Sequence, residues 1–408
     1  MANNPLRFVL PLLKPFDCDP QRLMSLLLWP SNNREPVSSI LAGAIIGARH
    51  GRGIFPQEWL RWAEPVAKDW FPISRVVEKR QQREKQIIEV HEKLALKKQN
   101  GMSLLEDKIY GCLLASSIGN AMGSPVEGMQ YEEIDAKYPG GVKTILDPKR
   151  LESEDDNQMA MLMVETYLQR NGLPVMARHF GRTWYDRLNR DHFYALCMGN
   201  AYDLIRAGWD PRITGHWNVV TGSTVMCMEP VGIYHLADPE YAAIDATAIS
   251  YMYQRGLDVT AAAILAATVA EALRPDATVD RICDAALKAA PRARLRTFDR
   301  RKFKSCHDYL ETCLTVAQKH HDVLGARKEL YARCLLYHMI DPLELLGLAL
   351  AMFKISKGDV RQAAIGGTNI GRDSDTIAGR GAMLSGALRG AGNVPQEWIR
   401  MFKPEVLR

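Results

Sequence analysis

The 408-residue sequence lacks three features that would each have narrowed its function at once. Its eight cysteines include no Cys-x-x-Cys pair, which argues against a zinc knuckle. No segment reaches the roughly 18 consecutive apolar residues that a membrane-spanning helix needs. The charge excess is small, because 52 Lys and Arg residues compare with 47 Asp and Glu residues for a net charge of +5. Zinc-finger, membrane-spanning and strongly basic nucleic-acid-binding classes are therefore not favoured.

The N-terminus also lacks the apolar core of a signal peptide, because Pro5 and Pro11 interrupt it. The cysteines are scattered singly through apolar segments, which is typical of reduced thiols in the cytosol. We therefore expect a cytoplasmic protein that does not contact a membrane. A basic segment from Arg292 to Lys304 contains interleaved aromatic residues, but it is short, so nucleic-acid binding is not expected.

The composition divides the chain into three zones. Residues 1–77 contain many of the prolines and four of the eight tryptophans. Residues 78–102 begin with a stretch rich in Lys, Arg, Glu and Gln that has no Gly or Pro up to Lys98, which favours a helix. Residues 103–408 are apolar and Ala-rich. We predict an N-terminal helical module, a charged linker helix and a main domain, in that order.

Helical signals follow one another through the main domain. Ser103-Leu-Leu-Glu106 is a capping box that predicts a helix from Leu104 to Ala121. Apolar residues recur at helical spacing after Gln158 until Asn171-Gly172 ends the pattern. Further helices are predicted at residues 258–273, 276–290, 305–318, 342–356 and 376–390. Because runs of alternating apolar and polar residues are scarce, we predict an all-α globule.

The sequence contains an internal repeat at a separation of 339 residues. The segment Gly47–Arg61 (GARHGRGIFPQEWLR) matches Gly386–Arg400 (GALRGAGNVPQEWIR) in its glycines, its Pro-Gln-Glu-Trp and its final Arg. We predict that the N-terminal module is a degenerate partial copy of the unit that closes the main domain. In this register the copy carries Arg34 and Pro36 opposite two aspartates, so we expect it to be structural. It would pack on the main domain or form a homodimer contact.

Two acidic clusters lie far apart in the sequence, and each is predicted to open a helix. They are Glu154-Asp155-Asp156-Asn157 and Asp373-Ser374-Asp375-Thr376. Acidic residues at a helix N-terminus commonly only cap free N–H groups, so neither cluster defines a site alone. If the two helix starts converge, they bring together four carboxylates and a hydroxyl, which are ligands that Mg²⁺ and Mn²⁺ prefer. Two such ions can clamp a sugar or a phosphate and lower the pKa of a bound water.

Two further segments carry weaker signals. Gly119–Glu127 (GNAMGSPVE) ends the first helix of the main domain with a turn, and Glu127 follows on a loop. Thr221-Gly222-Ser223-Thr224 is a small-residue loop of the kind that offers N–H and hydroxyl groups to a phosphate. A loop glutamate is usually exposed to solvent, so each segment is weak support by itself.

Taken together, these segments resemble the ADP-ribosylglycohydrolase family. Gly111–Glu127 is similar to the family's opening G-x-x-x-G-x-x-x-G-D-A-x-G-x-P-x-E, and residues 154–159 are similar to its T-D-D-T-x-M block. Thr221–Gly232 resembles its small-residue loop, and Asn369–Gly379 resembles its closing G-G-D-x-D-T block. The resemblance covers about residues 103 to 402. It implies an all-α orthogonal fold, two Mg²⁺ or Mn²⁺ ions, and hydrolysis of a ribosyl N- or O-glycosidic bond.

The resemblance also implies a role for each matching residue. The implied metal ligands are Asp155, Asp156, Asp373, Asp375 and Thr376. Glu127 matches the family's mobile active-site glutamate, and turnover is expected to depend on Asp156 as well. Gly222 and Ser223 would line a diphosphate or ribose pocket, with Thr224 and Asn120 as further substrate-binding residues.

The sequence departs from the family pattern at three places that bear on the substrate. The aspartate after Gly119 is Asn120, and the threonines flanking the first aspartate pair are Glu154 and Asn157, so Glu154 would add a fifth carboxylate to the metal site. The second glycine of the closing block is Arg372, which would bind a substrate phosphate or pair with Glu154. An ADP-ribosylated protein or a related ADP-ribosyl compound is the expected substrate. A nucleoside- or nucleotide-type N-riboside is an alternative, and so is a non-catalytic descendant that binds ligands or serves structurally.

Overall fold

The computed structural model describes residues 5–16, 18–27, 36–67, 72–99, 101–148, 155–192, 196–293 and 303–401. The chain separates into two compact units, Met1–Lys85 and Gln86–Arg408. Each unit has a hydrophobic core of its own. The predicted zone boundaries at residues 77 and 102 stay predictions.

The first unit is built from short helices. They are α1 (Pro5–Phe16), α2 (Pro20–Leu27), α3 (Pro36–His50) and α4 (Gln57–Ala67), with a 3₁₀ turn at Arg52–Ile54. Helix α5 (Pro72–Leu96) follows, and the boundary between the units falls within it. The core of this unit consists of Val9, Leu13, Leu23, Leu27, Ala42 and Ile46.

The second unit is helical apart from a short hairpin. Strands β1 (Lys98–Gln99) and β2 (Met102–Ser103) pair antiparallel and form the one sheet found among the described residues. The helices are α6 (Leu104–Gly123), α7 (Tyr131–Lys137), α8 (Asp155–Arg170), α9 (Ala177–Arg187), α10 (Leu196–Arg206), α11 (Glu229–Tyr234), α12 (Pro239–Ser250), α13 (Leu257–Ala272), α14 (Val279–Ala289), α15 (Cys306–Gln318), α16 (Arg327–Cys334), α17 (Pro342–Ile355), α18 (Val360–Asn369), α19 (Ser374–Arg389) and α20 (Gln396–Ile399). Among the described residues of this unit, 3₁₀ turns lie at Ser124–Val126, Arg190–His192 and Ala391–Asn393. The all-α prediction is confirmed.

Local signals account for several helix ends. At the start of α6 the Glu106 amide donates to the Ser103 hydroxyl at 3.2 Å, and the Ser103 amide donates to the Glu106 carboxylate at 2.8 Å. This is the predicted capping box. Helix α8 ends where Asn171 and Gly172 adopt positive φ angles of 49° and 83°. Such a left-handed turn satisfies the last carbonyls of a helix and stops it.

The two copies of the internal repeat have the same local structure. Gly51 and Gly390 both follow a helix with positive φ, at 72° and 84°. Each is followed by a 3₁₀ turn and then by a helix that begins at Gln57 or at Gln396. The positive φ explains why glycine occupies this position in both copies.

The centre of the second unit is the contact between α6 and α19. A Cβ atom on Gly119 would lie 2.4 Å from the Ala378 carbonyl oxygen, and one on Gly123 would lie 2.3 Å from the Ser374 carbonyl oxygen. The two helices therefore touch backbone to backbone, which only glycine permits. The end of α6 and the start of α19 lie side by side as a result.

Helix α17 runs through the same core, and its residues from Pro342 to Phe353 are all buried. No helix among the described residues is both long and apolar enough to cross a membrane.

Candidate active site

A cavity of about 1160 Å³ opens in the second unit where α8 and α19 begin. One end of it is acidic and is lined by Glu127, Asp155, Asp156, Asp373, Asp375 and Thr376. The rest of the wall includes Val219–Ser223, Arg255–Leu257 and Thr260, with Tyr337, His338, Ile340 and Asp341. The cavity thus combines a carboxylate-rich end with a wall of mixed apolar and polar character.

The two acidic helix starts meet at this cavity. Glu127, Asp373 and Asp375 each place one carboxylate oxygen within 4.8 Å of the other two. Asp155 and Asp156 lie in the first turn of α8 and line the same space. The clusters that are more than 200 residues apart in the sequence are therefore neighbours in the fold. Which of these residues bind a metal stays a prediction.

A tight turn before α19 presents Asp373 to the loop that carries Glu127. The Gly128 amide donates to the Arg372 carbonyl at 2.7 Å, and the Arg372 amide donates to the Met129 carbonyl at 2.8 Å. A Cβ atom on Gly371 would lie 2.2 Å from the Met129 carbonyl oxygen, so this approach requires glycine. The backbone pairing brings Glu127 and Asp373 to the same corner of the cavity.

Asn120, on α6, links this helix to α8 and α19 by hydrogen bonds next to the acidic residues. Its amide nitrogen donates to Asp375 Oδ2 at 3.3 Å, and its oxygen accepts from the Asn157 side chain at 3.2 Å. Asn120 is fully buried and is not among the described residues that line the cavity. It therefore supports Asp375 through this hydrogen bond, and its role in substrate binding stays a prediction.

The electrostatics of the acidic end favour a bound cation. Burial raises the pKa of Asp156 well above its usual range, and nearby Asp375 adds to the effect. Burial and Asp375 raise the pKa of Asp373 in the same way. These shifts mean that the negative charges are held close together in a poorly hydrated place.

The donor atoms also fit a hard divalent cation. Asp156 Oδ2 and Asp375 Oδ1 are buried, and neither accepts a hydrogen bond from any residue within the described part of the chain. Buried carboxylate oxygens normally have such a partner. The nearby donor set consists of oxygen atoms, which Mg²⁺ and Mn²⁺ prefer. The residues present therefore fit a metal of this class.

A buried arginine lies beside Asp156. Arg380 donates to Glu229 at 2.8 Å and to the Ser116 hydroxyl at 2.7 Å, and Ser116 donates to Glu229 at 3.0 Å. Its guanidinium is 3.9 Å from Asp156 Oδ2. Burial lowers the pKa of Arg380, but the carboxylates of Glu229 and Asp156 outweigh this effect and raise it. Arg380 thus places a fixed positive charge beside Asp156, and Glu229 balances that charge within the network.

Hydrogen bonds from Gln254, just before α13, and to Asp258, in its first turn, fix the small-residue loop. Gln254 donates to the hydroxyls of Thr221 and Ser223, each at 2.9 Å. The hydroxyls of Ser223 and Thr224 both donate to the buried Asp258 carboxylate. Burial raises the pKa of Asp258 to about 8, although hydrogen bonds from Thr224 and Ser223 oppose the change.

The three small residues predicted to bind substrate therefore take different positions. Gly222 and Ser223 line the cavity. Thr224 is fully buried and is not among the described lining residues. Its hydroxyl anchors the loop to Asp258, and its contact with substrate stays a prediction. Gly222 has a packing role as well, because a Cβ atom there would lie 2.1 Å from Leu345 Cδ1.

Two residues that depart from the family pattern can also be located. Arg372 Nε donates to Glu344 Oε1 at 2.6 Å, and Arg372 is not among the described residues that line the cavity. The structure thus gives Arg372 a partner other than the phosphate and the Glu154 carboxylate considered from sequence. Glu154 lies outside the described residues.

The fold and the site together define a class. The second unit is an all-α domain in which carboxylates from one loop and two helix starts gather in the wall of one cavity. Residues 102–407 match the family model described as ADP-ribosylglycohydrolase. The chain belongs to this family. Residues 1–101 lie outside the match.

The chain is also similar to individual proteins and to a solved structure. The Escherichia coli (strain K12) uncharacterized protein YegU is 26% identical over 307 residues, which cover 71% of this chain and 89% of YegU. An uncharacterized protein of Archaeoglobus fulgidus is 24% identical over 321 residues, which cover 73% of this chain and 92% of the relative. A solved structure of an ADP-ribosylglycohydrolase-related protein complex aligns with a TM-score of 0.54 and 19% identity, over 73% of this chain and 93% of that one. At this identity the solved structure supports the fold alone.

Proposed function

We propose that the protein is a metal-dependent hydrolase that cleaves a ribosyl N- or O-glycosidic bond in an ADP-ribosylated protein or a related ADP-ribosyl compound. The observation that carries the proposal is the group formed by Glu127, Asp373 and Asp375 at the acidic end of the cavity. Membership of a glycohydrolase family supports the reaction class.

The proposed metal ligands are Asp155, Asp156, Asp373, Asp375 and Thr376, which would hold two Mg²⁺ or Mn²⁺ ions. When bound, such ions supply Lewis-acid stabilisation and lower the pKa of a coordinated water. Their binding would also offset the burial and the repulsion from Asp375 that together raise the pKa of Asp156.

The protein itself would supply charge and orientation. Cleavage of a ribosyl bond develops positive charge at the anomeric carbon, and a nearby carboxylate stabilises that charge. Glu127 lies on a loop at the cavity wall, where its carboxylate would face the ribose and direct water toward it. Gly222 and Ser223, which also line the cavity, would contact the ribose or the diphosphate.

The size of the cavity supports a substrate larger than a pentose. At about 1160 Å³ it lies somewhat above the range of roughly 300–1,000 Å³ typical of small-ligand sites. The wall beyond the acidic end includes Leu257 and Ile340 together with Arg255 and Tyr337. Such a wall suits a nucleobase and a phosphate. The same feature makes a nucleoside- or nucleotide-type N-riboside the second candidate substrate.

Titration calorimetry with MgCl₂ and MnCl₂ tests the metal dependence. We expect binding to the native protein and its loss in Asp375→Ala. Asp280→Ala is the control, because the Asp280 side chain is 86% exposed and pairs with Lys354 outside the cavity. Absence of binding, or equal binding to Asp375→Ala and the native protein, would contradict a metal-dependent mechanism.

A product screen then tests the reaction. Arginine-, serine- and nucleobase-linked ribosides are incubated with the Mn²⁺-loaded protein, and the release of ADP-ribose or ribose is measured. Release from an arginine- or serine-linked substrate supports the ADP-ribosyl assignment, and release from the nucleobase-linked substrates alone supports the second candidate. Metal binding with no release from any substrate would favour a non-catalytic ligand-binding descendant.

A further inference from the structure

Arg372 has a backbone conformation that a residue with a side chain rarely adopts. Its φ angle is 64°, in the left-handed region. This region costs about 1–2 kcal/mol for a residue other than glycine, and it persists where surrounding contacts fix it. The contacts that hold Arg372 therefore indicate what its side chain does.

The side chain of Arg372 is tied to a buried carboxylate. Arg372 Nε donates to Glu344 Oε1 at 2.6 Å, and the Glu344 side chain is completely buried. The second oxygen of Glu344 accepts from the Leu336 amide at 2.5 Å. Burial raises the pKa of Glu344, and the ion pair with Arg372 opposes that rise. The ion pair thus connects the turn before α19 to α17 and to the segment that leads into Tyr337.

The backbone of Arg372 is tied to a different segment. Its carbonyl accepts from Gly128 and its amide donates to Met129, while Gly371 forms a bridge with Gln130. Glu127 directly precedes these residues in the chain. Arg372 therefore lies where three cavity segments join: the loop of Glu127, the turn that carries Asp373, and the segment after α16.

We propose that Arg372 is a positioning residue for the acidic group. Its ion pair with Glu344 fixes the turn that carries Asp373, and the backbone pairing extends this constraint to the loop of Glu127. The two carboxylates are thereby held at cation-binding separation before any ligand arrives. That this separation serves to bind a cation rests on the proposed function. The constraint that the ion pair places on the loop of Glu127 does not. Arg372 acts on the site through its ion pair with Glu344 and not by binding a substrate phosphate.

The test uses a double variant in which both charges are removed together. Arg372→Gly restores a residue that adopts positive φ freely, and Glu344→Gln retains an acceptor for the Leu336 amide without leaving a buried charge unpaired. Lys357→Gly is the matched control, because Lys357 is exposed, has a φ of 54° and does not line the cavity. Both proteins are compared with the native protein by amide hydrogen exchange and by MnCl₂ titration.

We expect the Gly128 amide of Arg372→Gly/Glu344→Gln to exchange about tenfold faster than in the native protein, a loss of about 1.4 kcal/mol of local stability. We also expect the dissociation constant for Mn²⁺ to rise about tenfold, as is typical when a residue that orients a metal ligand is removed. Lys357→Gly should change neither quantity. A role limited to global stability would not change the Mn²⁺ affinity of the folded protein.

Two results would overturn the proposal. One is exchange at Gly128 that is no faster in the double variant than in the control. The other is faster exchange together with an unchanged Mn²⁺ affinity, because the ion pair would then not position the carboxylates. If the native protein bound no Mn²⁺, the proposed metal-dependent function would fail, and exchange at Gly128 alone would decide whether Arg372 constrains the loop.

Discussion

Asp156 combines a cavity position with an electrostatic environment that disfavours its charge. Burial and Asp375 raise its pKa, so at neutral pH the ionised form is less favourable in the folded protein than in the unfolded chain. A neutral side chain of the same shape removes this unfavourable term. Loss of function and loss of stability are therefore separable at this position.

We predict that Asp156→Asn abolishes turnover without reducing the stability of the metal-free protein. Product release should fall at least about 100-fold, because the variant loses a proposed metal ligand. The free energy of unfolding in EDTA should equal or exceed the native value, measured by urea denaturation. Asp280→Asn, which replaces an exposed carboxylate, should leave product release unchanged. Retained activity in Asp156→Asn would remove the role proposed for it.

Asp258 gives a second prediction at this scale, and its sign follows from its pKa. The pKa is about 8 in the folded protein, whereas an aspartate in an unfolded chain titrates near about 4. Between these values the folded protein retains a proton that the unfolded chain has released. The free energy of unfolding therefore falls as the pH rises through this window, by up to about 1.4 kcal/mol per pH unit.

Asp258→Asn lacks this contribution. The stability of the variant relative to the native protein should increase from about pH 5 to about pH 8 and then level off. Urea denaturation of both proteins across this range measures the difference. A difference that stays constant with pH would mean that Asp258 titrates at the same pH in both states.

The acidic clusters and Glu127 could be predicted from sequence because each is a local pattern of residues that metal chemistry needs. Arg380, Glu229 and Asp258 could not. Arg380 and Glu229 are on α19 and α11, and their partner Ser116 is on α6, so nothing near either residue in the chain signals the network. Asp258 looks like an ordinary acidic residue at a helix start, and only the folded loop shows what it binds.

At the scale of elements, the glycines of the opening motif explain how α6 and α19 bring the site together. Gly111 and Gly386 make the same kind of backbone contact as Gly119 and Gly123, since a Cβ atom on Gly386 would lie 2.1 Å from the Gly111 carbonyl oxygen. The contact therefore continues along both helices. It places Asp375 and the turn after α6 at one end of the cavity.

We predict that Gly123→Ala destabilises the protein by about 1–3 kcal/mol and weakens Mn²⁺ binding. The new Cβ would lie 2.3 Å from the Ser374 carbonyl oxygen and 2.5 Å from the Asp375 Cα, so α19 has to shift where it carries a proposed ligand. Urea denaturation and MnCl₂ titration measure the two effects.

Gly379→Ala is the matched control on the other helix. Its nearest contact would be 3.3 Å, to the Ser116 carbonyl oxygen, which a small adjustment accommodates. The higher helix propensity of alanine, up to about 1 kcal/mol, offsets part of that cost. Equal effects of the two substitutions would contradict the view that close backbone contact sets the geometry of the site.

The helices themselves were largely predictable, and their assembly into a cavity was not. The capping box at Ser103 and the stop at Asn171-Gly172 are local, so α6 and α8 could be predicted within a few residues of their ends. The wall made by Arg255–Leu257 and by Tyr337 depends on contacts between elements distant in the chain. A periodic pattern predicts which face of a helix is buried, but not which other helix packs against that face.

At the scale of the whole molecule, the two units differ in what they contain. Among the described residues, all that line the cavity belong to Gln86–Arg408. The first unit reproduces the glycine turn and the Pro-Gln-Glu-Trp helix of the repeat, but it has no counterpart of Asp373 or Asp375. We therefore assign the proposed chemistry to the second unit alone.

The start of the second unit within α5 leads to the last prediction. Val90 and Leu94 belong to the core of the second unit, although the composition of the sequence assigned them to a linker. A protein of residues 86–408 should therefore fold and bind Mn²⁺ with native affinity. A protein of residues 103–408 lacks both side chains and should lose about 3–6 kcal/mol of stability, at about 1.5–3 kcal/mol each.

Urea denaturation and MnCl₂ titration of the two truncated proteins test this division. Native Mn²⁺ affinity in residues 86–408, with a lower unfolding midpoint in residues 103–408, is the expected pair of results. Weaker Mn²⁺ binding by residues 86–408 would mean that the first unit contributes to the site. Equal midpoints would mean that Val90 and Leu94 add little stability. That result would contradict the stabilisation expected from Leu94, whose side chain is 0% exposed.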